Sequence, residues 1–132
     1  MQLRIYTEYA TQILQHLHTH NTDLQTGVQI VEATGITYPN FMAVSHQLRQ
    51  KGLIVSTRGR HGGFKLGRPA TKISFYDVFR CFDEELCIGH SLKANRENID
   101  GMEQDRTTQF LQNLQDRIIM EMSSRTIADL AS

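Results

Sequence analysis

The sequence contains only two cysteines, Cys81 and Cys87, and it has no long apolar run. Two thiols are too few for a disulfide framework, so we expect a reducing compartment. No stretch approaches the roughly 18–20 consecutive apolar residues that a membrane-spanning helix requires. The first fourteen residues alternate polar and apolar side chains, which is not the pattern of a secretory signal peptide. We therefore expect a cytoplasmic protein with no membrane partner.

The formal net charge is zero, but the charges are unevenly distributed along the chain. Residues 1–72 carry eight Lys or Arg against three Asp or Glu, a balance of +5, and residues 73–132 carry six against eleven, a balance of −5. Between Arg49 and Lys72 there are seven basic residues and no acidic one. Such a segment indicates a surface that faces a polyanion, although an ordinary solvated face can have the same composition.

Two helices are predicted before residue 35. The first covers about residues 3–18 and has an apolar stripe at a spacing of four, namely Ile5, Tyr9, Ile13 and Leu17. The second covers about residues 26–34 and offers the core Val28, Ile30, Val31 and Ala33. Gly35 is expected to end it in a left-handed cap.

A third helix is predicted from an N-cap at Thr37 to about Lys51. Its core side carries Phe41, Val44 and Leu48. The other side carries Pro39, Met42, Ala43, His46 and Gln50. The two helices and the short glycine turn between them form the pattern of a helix-turn-helix.

The basic segment that follows is predicted to be a β-hairpin. Residues 53–55 and 64–66 are typical of two short strands, and the glycines between them suit a tight turn. A basic hairpin directly after a helix-turn-helix is called a wing. Arg58 and Arg60 at its tip could contact a phosphate or enter a narrow minor groove.

The second half is predicted to be helical. Ser74 and Asp77 form a capping-box pattern that opens a fourth helix through about Phe82.

An irregular stretch over about residues 84–95 precedes a long helix over about residues 97–123. That helix carries the apolar stripe Leu111, Leu114, Ile118 and Met122. Because so small a chain offers little surface to cover such a stripe, we expect a second copy to pair with it. Thr126 and Asp129 repeat the capping pattern before a short terminal helix.

With these segments identified, the sequence resembles the Rrf-two (Rrf2) family of bacterial winged helix-turn-helix transcriptional regulators over nearly its whole length. The wing, residues 58–69 (RGRHGGFKLGRP), is the most specific match. Residues 48–54 (LRQKGLI), 73–78 and 126–130 are also similar to the family. Near the N-terminus, residues 1–3 (MQL) and 6–10 (YTEYA) resemble the branch of nitric-oxide-sensitive repressors.

The resemblance implies a homodimer whose long helices pair and whose two winged heads bind an inverted-repeat operator, as a repressor or an activator. It also implies a sensor region between the wing and the long helix. In the best-known branches, three cysteines there bind an iron–sulfur cluster, and the nitric-oxide-sensitive branch adds an acidic residue near the N-terminus of the partner subunit.

This sequence departs from that pattern. Cys87, followed by His90, resembles the last cysteine of the set, and Glu8 falls where the acidic ligand would be, but Cys81 lies where the family has a helix. We therefore expect no cofactor and operator binding without an iron–sulfur cluster. Four alternatives stay open at this point. They are a residual cluster or metal site formed by Cys87, His90 and Glu8, a redox-sensitive thiol at Cys87, a site that senses a small molecule or a partner protein, and a region that senses nothing.

The predicted fold class is mainly α with a small β-hairpin wing. The chain divides into a winged helix-turn-helix head over residues 1–82, a sensor or hinge loop over residues 83–96, and a dimerisation helix with a short terminal helix over residues 97–132. The partners implied are double-stranded DNA and a second copy. The candidate DNA-binding residues are Thr37, Tyr38, Pro39, Asn40, Met42, His46, Arg49, Arg58, Arg60, His61 and Lys65.

Other functions fit the sequence less well. No glycine-rich phosphate loop follows a strand, and the adjacent Ser45 and His46 cannot face each other on a helix, so we expect no enzyme. A protein-interaction module on a winged fold is the alternative from another class, and the basic wing favours DNA. His16 and His20 have the spacing of helical metal ligands, but histidines also suit the C-terminal end of a helix.

Overall fold

The computed structural model describes residues 3–82, 86–89 and 106–131. Its helices are α1 (Ile5–Thr19), α2 (Gly27–Thr34), α3 (Tyr38–Gln50), α4 (Phe75–Phe82), α5 (Arg106–Ser124) and α6 (Ile127–Leu130). Two strands, β1 (Ile54–Thr57) and β2 (Gly63–Leu66), form an antiparallel hairpin, and a short 3-10 turn spans Ala70–Lys72. This is the predicted class of fold, mainly α with one β-hairpin.

Helix α1 lies at the centre of the core. Its buried residues are Thr7, Ala10, Ile13, Leu14 and Leu17. Of the predicted apolar stripe, Ile13 and Leu17 are buried, whereas the side chain of Ile5 is 54% exposed. The reason is geometric, because residues four apart drift by about 40° per step around a helix of 3.6 residues per turn.

The helix-turn-helix is formed by α2 and α3. The predicted caps are confirmed: the backbone N–H of Asn40 donates to the Thr37 hydroxyl at 3.4 Å, and Gly35 has a φ of 74°. Of the four core residues predicted on α2, only Ile30 is fully buried and Val31 is half-buried. Val28 and Ala33 are exposed, because a helix of eight residues turns only a narrow stripe toward α1 and α3.

The hairpin is anchored to the rest of the chain through Phe64, close to its turn. In the hairpin, Ile54 pairs with Leu66 and Thr57 pairs with Gly63. The segment before α2 joins the hairpin at Gln25, whose backbone exchanges two hydrogen bonds with that of Phe64 at 2.7 and 3.0 Å. The Phe64 ring packs edge-on against the Phe41 ring of α3, with centroids 5.3 Å apart. The wing and α3 are therefore held in a fixed relation to each other.

The C-terminal segment returns to the head. The capping boxes Ser74–Asp77 and Thr126–Asp129 are both present, and they lie side by side. The N–H of Ile127 donates to the Ile73 carbonyl at 2.8 Å, and Ile127 is completely buried. Helix α6 packs against α1 and the 3-10 turn, while α5 packs against α4. The long helix is thus fixed to the head at its C-terminal end, a contact that the sequence did not predict.

Residues 86–89 contain neither helix nor strand, as expected for this stretch. The rest of the predicted irregular stretch, and the predicted start of the long helix near residue 97, lie outside the described residues. None of the helices in the described ranges combines the length and apolarity needed to span a membrane.

Candidate nucleic-acid interface

The outward side of α3 is the first component of the interface. Phe41, Val44 and Leu48 are buried on the inner side. On the outer side Tyr38 is 51% exposed and Met42 is 45% exposed. The exposed positions of this helix also include Pro39, Ala43, His46, Arg49 and Gln50, and Asn40 is half-exposed. The structure therefore presents the predicted base-reading side chains of α3 on one free surface.

The hairpin is the second component. Arg58, Arg60, His61 and Lys65 are all exposed. Within the described part of the chain, neither Arg58 nor Arg60 forms an ion pair with a carboxylate. The turn is tight: a Cβ at Gly62 would collide with the Thr57 carbonyl oxygen, so only glycine fits there.

Arg49 connects the two components. Its Nη1 donates to the Ser56 hydroxyl on β1 at 3.5 Å, from the last turn of α3. No acidic residue occurs between Arg49 and Lys72 in the sequence, so this segment contributes basic side chains and no carboxylate to the surface. The C-terminal end of α3 and the wing thus contribute exposed basic side chains to one surface. The rest of the outer side of α3, with the apolar Met42 and the amide of Asn40, lies next to them.

The sensor candidates are only partly described. Cys87 is exposed, and its Sγ donates to the Gly89 carbonyl at 3.3 Å. Glu8 is exposed on α1, and His90 lies outside the described residues. The structure does not describe a site that brings these three side chains together.

The segment that carries Cys87 is attached to α5. Leu86 is buried against Phe79 and Met122, and the Ile88 N–H donates to the side-chain oxygen of Gln115 at 3.2 Å. Gln115 is itself almost completely buried. The sequence analysis did not predict this role of Gln115. The signal that could have indicated it is a glutamine within the apolar face of a helix.

Cys81 lies in a different environment. It is half-buried on α4, and its thiol donates to the Asp77 carbonyl of the preceding turn at 3.4 Å. Burial raises the pKa of the Cys81 thiol to about 11. An iron–sulfur cluster requires about four ligands, most of them thiolates. With one exposed thiol and one protonated thiol in the head, the residues present do not fit such a cluster.

The predicted dimerisation stripe on α5 divides between two environments. Met122 is buried within its own chain against Phe79 and Leu86, and Ile118 borders the same cluster. Leu111 is half-exposed and Leu114 is exposed, beside Phe110, which is 62% exposed. Among the described residues of this stripe and its neighbour Phe110, the exposed or half-exposed apolar side chains are Phe110, Leu111, Leu114 and Ile118.

The family model of Rrf2, described as an iron-dependent transcriptional regulator, matches residues 3–132. The chain belongs to the Rrf2 family. Among curated proteins, protein aau3 of Rhizobium meliloti (strain 1021) is 28% identical to this Rrf2 chain over 94 residues. That alignment covers 71% of this chain and 61% of the relative, so the match spans less than two thirds of the relative's length.

Solved structures show the same fold. IscR of T. potens has a TM-score of 0.79 at 21% identity, over 98% of this Rrf2 chain and 85% of that one. CymR, described as the global cysteine regulator of B. subtilis, has a TM-score of 0.81 at 19% identity, over 99% and 96% of the two chains. These similarities confirm the predicted winged helix-turn-helix architecture.

Proposed function

We propose that this chain is a sequence-specific DNA-binding regulator that acts as a homodimer on an inverted-repeat operator, most simply as a repressor. The observation that carries the proposal is the single basic surface formed by α3 and the wing. Family membership supports a role in transcription, and we assign no catalytic activity. The similarity of the opening residues to a repressor branch favours repression. A DNA-binding regulator of a bacterial family acts in the cytoplasm, where the DNA lies.

The proposed mechanism assigns different tasks to the two components. Helix α3 enters the major groove, where base edges present distinct donors, acceptors and methyl groups. The amide of Asn40 and the apolar chain of Met42 are the side chains suited to an adenine edge and a thymine methyl. Arg58 and Arg60 of the wing contact phosphates or the minor groove, which supplies affinity and orientation.

The proposed dimer forms through α5. Phe110, Leu111, Leu114 and Ile118 recur at spacings of one, three and four residues and leave an apolar strip exposed on the single chain. A two-fold axis through this strip would cover it on both copies and would carry two heads to two half-sites. Half-sites about ten base pairs apart, or a multiple of that distance, suit such an arrangement.

We also propose that operator binding requires no iron–sulfur cluster, although the family is described as iron-dependent. The support is the donor set, since the sequence has two cysteines and one of them, Cys81, is a half-buried thiol of high pKa on a helix of the head. The region around Cys87 is then available to a small molecule or a thiol oxidant.

Selection from a random pool of duplexes tests the proposal. Purified protein should enrich one inverted repeat after a few rounds, and sedimentation of the complex should give two chains per enriched duplex. A pool without an enriched sequence would contradict sequence-specific binding. One chain per duplex would contradict the dimer while leaving DNA recognition intact.

A further inference from the structure

A series of hydrogen bonds links the C-terminal end of α1 to the wing. His16 Nε2 lies 2.9 Å from the side-chain oxygen of Gln25, and Gln25 is buried. Because an amide oxygen can only accept, Nε2 carries the proton and donates it to Gln25. The backbone of Gln25 in turn exchanges two hydrogen bonds with that of Phe64 on β2. The side chain of His16 is therefore connected to the hairpin through one intermediate residue.

The position of Gln25 determines which part of the hairpin it supports. Phe64 is the second residue of β2, close to the turn that carries Arg58 and Arg60. A two-stranded hairpin is only marginally stable by itself, and a third strand or a packed face is needed to hold it. Gln25 supplies a third segment at this end, and the approach is close, because a Cβ added at Gly63 would lie 2.8 Å from the Gln25 carbonyl oxygen. The end of the wing nearest its basic turn is thus held by a residue outside the hairpin.

The ring of His16 is itself restrained. The ring of His20, one helical turn later, lies against it, with centroids 4.3 Å apart and 32° between the ring planes. His20 Nδ1 lies 3.0 Å from the backbone carbonyl oxygen of His16 and donates to it, because a carbonyl can only accept. The half-buried His16 imidazole therefore has one partner at Nε2 and another against its ring, which favours the orientation that meets Gln25.

We propose that His16 is a positioning residue for the wing, that it acts through Gln25, and that it raises the affinity for operator DNA without contacting the DNA. This rests on the proposed function, since it requires the wing to contact the duplex. Without His16, the buried side-chain oxygen of Gln25 loses its donor, and an unsatisfied buried acceptor is costly. The oxygen regains a partner if the segment moves toward water, which disturbs the pairing with Phe64. The Phe64 ring still packs on Phe41, so the wing is displaced and stays folded.

Operator binding tests the effect on function. His16→Ala should bind the selected duplex about fivefold more weakly, the equivalent of about 1 kcal/mol for one neutral hydrogen bond. His16→Gln should bind like the wild type, because the amide nitrogen of glutamine lies as many bonds from the backbone as Nε2 of histidine. His18→Ala is the matched control, since it removes an imidazole about 200° around the same helix, and it should also bind like the wild type.

A double-mutant cycle shows whether the effect passes through the wing. In a background of Arg58→Ala with Arg60→Ala, His16→Ala should cause no further loss of operator affinity, because the contacts through which His16 acts are already absent. A general weakening of the head would instead add to the loss caused by the two arginine substitutions.

Amide hydrogen exchange tests the contact without DNA. The Phe64 N–H donates to the Gln25 carbonyl oxygen, so its exchange rate in the free protein measures that pairing directly. The rate should rise about fivefold in His16→Ala and return to the wild-type value in His16→Gln. The Gly67 N–H, which donates to the Leu53 carbonyl oxygen at 2.9 Å, is the internal control and should exchange at an unchanged rate.

Several results would overturn the proposal. They are an unchanged Phe64 exchange rate in His16→Ala, no restoration by His16→Gln, an equal loss of operator affinity in His18→Ala, and an additive loss in the background without the two wing arginines. A wild type that binds no operator would contradict the proposed function, and the exchange rates would then decide alone whether His16 holds the wing.

Discussion

The two thiols of the chain have opposite surroundings, and this contrast decides what the sensor region can do. Cys87 is exposed beside a segment attached to α5, whereas Cys81 is half-buried and bonded to the turn below it. A thiol reacts as its thiolate, so exposure and pKa together control its rate. Any oxidant or alkylating reagent should therefore act on Cys87 first.

Alkylation measures this difference. With a pKa of about 11, about one Cys81 in a thousand is ionised at pH 8. We expect iodoacetamide to modify Cys87 at least tenfold faster than Cys81 in the folded protein, as measured by peptide mass spectrometry over time. Both should react at similar rates in denaturant. Equal rates in the native protein would show that Cys81 is not protected.

The ligand count leads to a second prediction at this scale. Protein purified without oxygen should be colourless and free of stoichiometric iron and sulfide, and it should still bind the selected operator. Absorption spectra and metal analysis check this. A brown protein that loses both iron and sulfide in Cys87→Ala would contradict the prediction that the chain binds no iron–sulfur cluster.

Single residues were predicted unevenly from the sequence. The outward positions of α3, such as Met42 and His46, were predicted correctly because three buried positions at regular spacing determine the orientation of that helix. Ile5 is exposed although it is part of the predicted apolar stripe, because a spacing of four drifts off the buried face. The bond between Gln25 and His16 depends on tertiary packing, which no local pattern encodes.

At the scale of elements, the wing is the unit whose shape depends most directly on glycine. A Cβ added at Gly62 would collide with the Thr57 carbonyl oxygen. A Cβ added at Gly67 would collide in the same way with the Gly52 carbonyl oxygen. The hairpin could be predicted because its glycines and basic residues are local signals. The attachment of α6 to the head could not, since it depends on strand-like pairing between residues far apart in sequence, Ser74 and Thr126.

Gly62→Ala should displace the wing without unfolding the head. The added methyl group collides with backbone, so we expect a loss of about 1–3 kcal/mol in the free energy of unfolding. Operator affinity should fall by about tenfold or more, because losing even one of the contacts proposed for Arg58 and Arg60 would cost about 1.5–3 kcal/mol. Thermal melts and anisotropy titrations measure the two effects, with far-UV circular dichroism as the control for folding. Unaltered affinity would remove the wing from the interface.

At the scale of the whole molecule, α5 has two tasks on two sides. One side packs on α4 through Met122 and holds the Cys87 segment through Gln115. The other side exposes Phe110 and Leu114. The sequence predicted that this helix has an unpaired apolar face, but it could not separate the side used within the chain from the side left for a partner, since both are apolar.

Leu114→Asp should convert dimers to monomers. Burying a leucine is worth roughly 1.5–3 kcal/mol, and the two-fold axis counts the change twice. Because Leu114 is exposed on the single chain, the variant should stay folded. Gln109→Asp is the control, as it places the same charge on another side of α5. Sedimentation at micromolar concentration distinguishes the two, and a wild type that is already monomeric would refute the proposed assembly.

The central claim is that α3 reads DNA sequence while the wing supplies affinity, and competition between two duplexes tests it most directly. Fluorescence anisotropy would compare the selected operator with a scrambled duplex of equal composition at several salt concentrations. The wild type should bind the operator about a thousandfold tighter or more, with an affinity that falls linearly in logarithmic salt. Arg58→Ala with Arg60→Ala should weaken binding by about tenfold or more. Equal affinity of the wild type for both duplexes would contradict the account.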